Sequence, residues 1–176
     1  VGIGGISDDI ALRIIKKLSE LGEVVISSER HLKPELEQFR KSIKSHEMHE
    51  IMREASMLIS DSQSMSVEAA MIGLPSVRIS DFAGEIGVLN KLENDYGLTY
   101  AFKPYQVDEA FLCINKILEE LEENPHLWID RAEAMHEEQL DFGELMCYLV
   151  MNYPKSKDEL RDSENLKSFL EEKVKS

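Results

Sequence analysis

The chain has 176 residues, 43% of them hydrophobic and 31% charged, which suits one domain and excludes a disordered or collagen-like polymer. Its 34 acidic against 20 basic side chains leave a net charge of −14, which repels a phosphate backbone and excludes a nucleic-acid partner. Cys113 and Cys147 are the only cysteines, too few for a disulfide framework or a four-cysteine zinc site and in keeping with a reducing cytoplasm, and no apolar stretch approaches the roughly 18 residues of a membrane span.

In chain order, Val1-Gly2-Ile3-Gly4-Gly5 reads as a glycine-rich turn, and Ser7-Asp8-Asp9 as an N-cap with an acidic first turn. Ile10, Ile14, Ile15, Leu18 and Leu21 recur at helical spacing, with Gly22 where a C-cap glycine belongs. Glu23–Ser28 is a β-branched run that predicts a buried strand. Residues 29–45 are mostly charged, with Pro34 near the start of a short helix. A helix over His46–Ala55, a strand over Ser56–Asp61, a helix over Ser62–Gly73 and a strand over Pro75–Ser80 follow. Proline opens the last of these, where a missing N–H costs least. A helix from Ile86 to Tyr96, capped by Gly97, leads to a strand over Leu98–Phe102. From Asp108 the pattern is helical, broken around Pro125 and Pro154. Met135, His136, Leu140, Phe142, Leu145, Met146 and Leu149 read as a packing face.

Strand–helix alternation with short turns predicts a three-layer α/β/α domain, a parallel sheet covered by helices on both faces, with four strands visible. Such a sheet needs a strand before the first helix, of which only Val1–Ile3 is present. The opening at Val1, in mid-pattern, is read as the start of a piece of a longer protein. The division expected is a main domain over 1–153 and a charged helix over 154–176, amphipathic through Leu160, Leu166, Phe169 and Leu170. Residues 1–104 carry 16 acids and 12 bases, net −4, against 18 and 8, net −10, over 105–176. An anionic ligand therefore belongs to the first part.

The segment that carries chemistry is Leu58-Ile59-Ser60-Asp61-Ser62-Gln63-Ser64-Met65-Ser66-Val67-Glu68-Ala69-Ala70. A strand runs into small hydroxyl residues that become a helix start, at the strand end where open α/β sheets bind ligands. Free amides, about half a positive charge and the hydroxyls of Ser62, Ser64 and Ser66 suit a phosphate or diphosphate, and Glu68 suits paired ribose hydroxyls. The same residues also make an ordinary capped helix with Glu68 as its dipole or capping-box partner. Local sequence supports the two readings equally.

The stretch ISDSQSMSVEAAMIGLPSVRIS resembles the nucleotide-binding stretch of GT-B glycosyltransferases and of the non-hydrolysing UDP-N-acetylglucosamine 2-epimerases. A closer similarity is to an uncharacterised prokaryotic GT-B-like family. It runs through the helix start at His49, SMSVEAA, Pro75-Ser76-Val77-Arg78 and Lys91-Leu92-Glu93-Asn94-Asp95-Tyr96-Gly97-Leu98. The likeness spans roughly residues 1–105. It implies a Rossmann-like domain of the GT-B C-terminal type, with a UDP-sugar as ligand and no separate cofactor or metal. A second, N-terminal domain of the same protein would supply the acceptor side. By position, Ser62, Gln63, Ser64, Met65 and Ser66 meet phosphate and Glu68 meets ribose. Gly4, Gly5, His49, Arg78 and Glu85 face the sugar side of the cleft. The sequence departs from the epimerases at Gln63 and Ser64, where they carry paired glycines; larger side chains there obstruct a diphosphate.

Other candidates have plainer readings beside them. His46 and His49 are three residues apart, which is not the two-histidine zinc spacing. Arg78 lies inside an apolar strand, so it is either paired in the core or directed to the cleft. Gly2, Gly4 and Gly5 lack the third glycine of a dinucleotide fingerprint. Two functions emerge: the nucleotide-sugar-binding half of a glycosyltransferase or UDP-sugar 2-epimerase, or a non-catalytic Rossmann-like binding or interaction domain. A homo-oligomer is left open.

Overall fold

The computed structural model describes residues 4–139, 141–161 and 168–169. Val1–Ile3, Leu140, Leu166 and Leu170, all used in the sequence reading, lie outside the described residues. Two compact units result, Val1–Ala132 and Glu133–Ser176.

The first unit opens with α1 (Asp8–Leu18), whose N-cap Ser7 accepts the Ile10 amide at 3.3 Å. Asp8 and Asp9 in its first turn and Lys16 and Lys17 in its last complement the helix dipole. Its apolar stripe buries Ile14 and Ile15. Gly22 is not the expected C-cap, because among the described residues only Gly73, Gly84 and Gly97 have positive φ. The helix closes earlier: the Ile15 carbonyl accepts both the Ser19 amide at 2.9 Å and the Ser19 hydroxyl at 2.7 Å.

The run Glu23–Ser28 is not a buried strand. It forms a single parallel bridge, Ile26 with Arg40, in which Ile26 donates to Phe39 and accepts from Lys41. No other described strand lies beside it, so the β-branched run stays extended while Val25 faces solvent. A short α2 (Pro34–Glu37) buries Leu36 completely. A 3₁₀ turn, Ser45–Glu47, then leads into α3 (Met48–Glu54).

The sheet has three strands among the described residues, not four: β1 (Leu58–Ser60), β2 (Ser76–Ile79) and β3 (Thr99–Phe102), in the order β1-β2-β3 and parallel throughout. Between them run α4 (Gln63–Met71) and α5 (Gly87–Asn94), and α6 (Val107–Glu123) follows. All four residues of β2 are buried; since alternate side chains point to opposite faces, both faces of the centre are covered. Val77, Ile79, Leu89, Leu98, Ile114 and Ile117 are nearly or wholly inaccessible. In α6 the buried Val107, Ala110, Ile114 and Ile117 form one stripe at helical spacing. The unit is thus a mixed α/β fold with a small open parallel sheet flanked by helices, an arrangement compatible with a Rossmann-like sheet. A cleft of about 760 Å³ is lined by Ile14, Val24, Ile26, Met52, Leu58 of β1 and Ser62, among others.

Helix α7 (Leu127–Glu138) runs across the unit boundary, and the second unit continues with α8 (Phe142–Met151) and α9 (Lys155–Glu159). Asp141 caps α8 by accepting the Glu144 amide at 2.9 Å. The Tyr148 hydroxyl donates to Glu159 at 2.7 Å, and its ring lies 4.7 Å from that of Phe169. Phe142 and Met146, expected on a packing face, are exposed. Of the helix expected from 154 onward, Lys155–Glu159 is formed; most residues beyond Arg161 lie outside the described ones. No described helix is long and apolar enough to cross a membrane.

Candidate functional site

Helix α4 starts at the carboxyl end of β1, where Asp61 and Ser62 turn the chain. Ser62 is extended (φ −83°, ψ 131°) and its hydroxyl accepts the Met65 amide at 3.4 Å. The Ser62 amide donates to Ser60 Oγ at 3.0 Å, which holds the turn against the strand. The first amides of a helix have no intrahelical carbonyl to meet, and the exposed Ser64 sits at that opening, its hydroxyl 3.3 Å from that of Ser62. Ser66 is different. It is fully buried and donates its hydroxyl to the Ser62 carbonyl at 3.0 Å. Met65 is half-buried and packs against Met52, Ala69 and Leu74. The five residues assigned to phosphate therefore split: Ser62, Gln63 and Ser64 stand at the helix start, and Met65 and Ser66 are turned inward, Met65 half-buried and Ser66 fully buried.

Glu68 follows one turn later, with 41% of its side chain exposed. Its Oε2 lies 3.0 Å from Nε2 of His49, on α3. A carboxylate only accepts, so the imidazole proton of this contact sits on Nε2. Residues chosen for separate reasons, ribose contact and cleft position, are here a single pair.

Gln63 does not project over the helix start. Its carboxamide is drawn toward the sheet, Oε1 accepting from Arg78 Nη1 at 3.0 Å and Nε2 donating to Ser80 Oγ at 3.3 Å. Arg78 is 0% exposed, and its Nε and Nη2 have no hydrogen-bond partner. Burial lowers the guanidinium pKa, an effect partly opposed by the charge of Glu93. Burial likewise raises the Glu93 carboxyl, against the Ala101 amide and the Arg78 charge, which lower it.

Gly4 and Gly5 lie at the carboxyl ends of β1 and β2. The Gly4 amide donates to Asp81 Oδ2 at 2.6 Å, and its carbonyl accepts the Asp81 amide at 3.0 Å. At Gly5 a Cβ would stand 2.8 Å from the Asp61 Cβ, so the close passage of this backbone requires glycine. Glu85 is paired with Lys103: its Oε1 accepts from Lys103 Nζ at 2.8 Å, and Lys103 also donates to the Asp81 carbonyl.

Sequence reasoning missed Asp61, Asp81 and Lys103. Each sits at or just past the carboxyl end of a strand, a position that could have marked all three. Among the described residues, no group of three or more His, Cys, Asp or Glu side chains is placed to hold a metal ion. Comparison with protein-family models, curated proteins and solved structures finds no match.

Proposed function

We propose that this chain is the nucleotide-sugar-binding half of a GT-B-like glycosyltransferase or UDP-sugar 2-epimerase, its acceptor side contributed by an N-terminal domain. The observation that carries the reading is the α4 start. Ser62 and Ser64 present their hydroxyls at an open helix N-terminus, and Glu68 stands toward solvent on the same helix. The diphosphate accepts from the first amides of α4 and from the two hydroxyls, favoured by the positive helix end. The Glu68 carboxylate accepts from the paired ribose hydroxyls, and the His49 imidazole fixes its orientation. The side chain at position 63, where the epimerases carry glycine, is compatible with this because its carboxamide is turned down onto Arg78 and Ser80.

The test is calorimetric titration of UDP, a UDP-sugar and inorganic pyrophosphate into the 176-residue chain. Saturable binding of all three is expected. Glu68→Ala should weaken UDP at least about tenfold, the loss of charge-assisted hydrogen bonds, and leave pyrophosphate unchanged. No UDP binding at millimolar ligand would favour the non-catalytic binding or interaction domain.

A further inference from the structure

A guanidinium out of contact with water ordinarily has a carboxylate beside it, because an unpaired buried charge is strongly unfavourable. Arg78 has none within ion-pair distance: its one hydrogen bond is to the neutral Gln63 carboxamide, at 3.0 Å. Glu93 acts on it only through the longer-range field. Three N–H groups, one on Nε and two on Nη2, are unused. The group bonded to the guanidinium is the side chain of the first residue of α4, between Ser62 and Ser64. The buried cation is thus tied to the open helix start by one rotatable side chain.

We propose that Arg78 is the buried countercharge of the α4 anion site and that the Gln63 carboxamide oxygen occupies the place a phosphate oxygen takes. An incoming phosphate or diphosphate displaces Gln63 Oε1 and accepts from the guanidinium, whose planar fork matches two phosphate oxygens. The displaced carboxamide turns outward, giving up its bond to Ser80. No covalent bond changes. The inference rests on the reading of the α4 turn as an anion site, and not on the nucleoside or sugar. It also gives the departure from glycine at position 63 a role, as a neutral cap for a charge that would otherwise be buried alone.

The experiment compares pyrophosphate and UDP binding by calorimetry, and thermal stability, in the native chain and in Gln63→Ala, Gln63→Glu and Arg78→Lys. Gln63→Glu should place a permanent carboxylate on the guanidinium. Its melting temperature should rise while pyrophosphate affinity falls at least tenfold. Gln63→Ala should do the reverse, lowering stability while binding pyrophosphate at least as tightly as the native chain. Arg78→Lys, which keeps the charge but loses the fork, should weaken both ligands several-fold. A purely structural Gln63 would move stability and affinity in the same direction, and that result overturns the inference, as does native-like pyrophosphate affinity in Gln63→Glu. Position-63-dependent pyrophosphate binding without any gain from the nucleoside sinks the nucleotide-sugar reading and leaves this one standing. UDP binding indifferent to position 63 does the opposite. A native chain that binds neither ligand overturns both.

Discussion

His49 Nε2 and Glu68 Oε2 lie 3.0 Å apart, joining α3 to α4. The side chains are 54% and 41% exposed. An ion pair or hydrogen bond in that much water contributes at most about 0.5–1 kcal/mol. A ligand-orienting pair and a stabilising pair therefore make different predictions.

His49→Ala and Glu68→Ala should each change unfolding free energy by no more than about 0.5 kcal/mol, as surface substitutions do. If the proposed ribose contact is right, UDP affinity drops in both, more in Glu68→Ala, because His49 touches only the carboxylate. Urea denaturation alongside titration separates the two effects. A loss of several kcal/mol in either variant would make the pair a structural clasp.

Two glycines report on how α1 and α4 end. Gly73 has φ +70°, and a Cβ there would lie 2.8 Å from the Ile129 backbone. Gly73→Ala combines left-handed strain with a clash that no side-chain rotation relieves, so a loss of about 2 kcal/mol or more is expected. Gly22 has neither a positive φ nor any atom within 4 Å of an added Cβ. Gly22→Ala should be neutral or stabilising by up to about 1 kcal/mol, through reduced freedom of the unfolded chain. Equal losses at both positions would mean that α1 closes on Gly22 after all.

What was legible in the sequence was local. Ser7 and Ser62 announce helix starts because a hydroxyl at that position meets an amide two or three residues on. Gly73 and Gly97 announce their ends because few other residues take the left-handed turn. The continuous apolar run at β2 is buried on both faces, as such runs are in parallel sheets. Glu23–Ser28 carries the same composition and is not a strand, because composition reports willingness to extend and not the presence of a neighbour to pair with. The α4 turn was found from its hydroxyls and its place after a strand. The His49–Glu68 and Arg78–Gln63 contacts were not, since they join residues 19 and 15 positions apart on different elements. A lone arginine in an apolar strand was the one signal that a buried charge lay against the first residue of α4.

The open edge of the sheet gives a third test. Leu58 donates its amide to the Pro75 carbonyl at 2.9 Å, toward β2. Alternate residues of a parallel strand direct their amides to opposite edges, so the Ile59 amide points away from β2. Val77, in the central strand, has a paired neighbour on each side. Hydrogen exchange resolved by residue should show Ile59 exchanging at least about tenfold faster than Val77, through local opening and not global unfolding. Equal protection would place a hydrogen-bonding partner on that edge.

The last prediction concerns the thiols. Cys113 is half-buried, and burial, reinforced by the charge of Glu93, pushes its pKa from an ordinary 9.0 to about 11. At pH 8 that leaves about a hundredfold less thiolate than an unperturbed cysteine holds, and only the thiolate reacts. Cys147 is exposed. Iodoacetamide at pH 8 should therefore modify Cys147 promptly and Cys113 slowly, until denaturant equalises them. The folded state holds the Cys113 proton more tightly than the unfolded state does, and this sets the sign of the linkage. The stabilisation is complete below about pH 9 and is lost as pH rises from about 9 to about 11. Cys113→Ala should flatten that part of the pH–stability curve measured by urea denaturation. An unchanged curve, or modification of Cys113 as fast as Cys147, would mean that the thiol is open to water in solution.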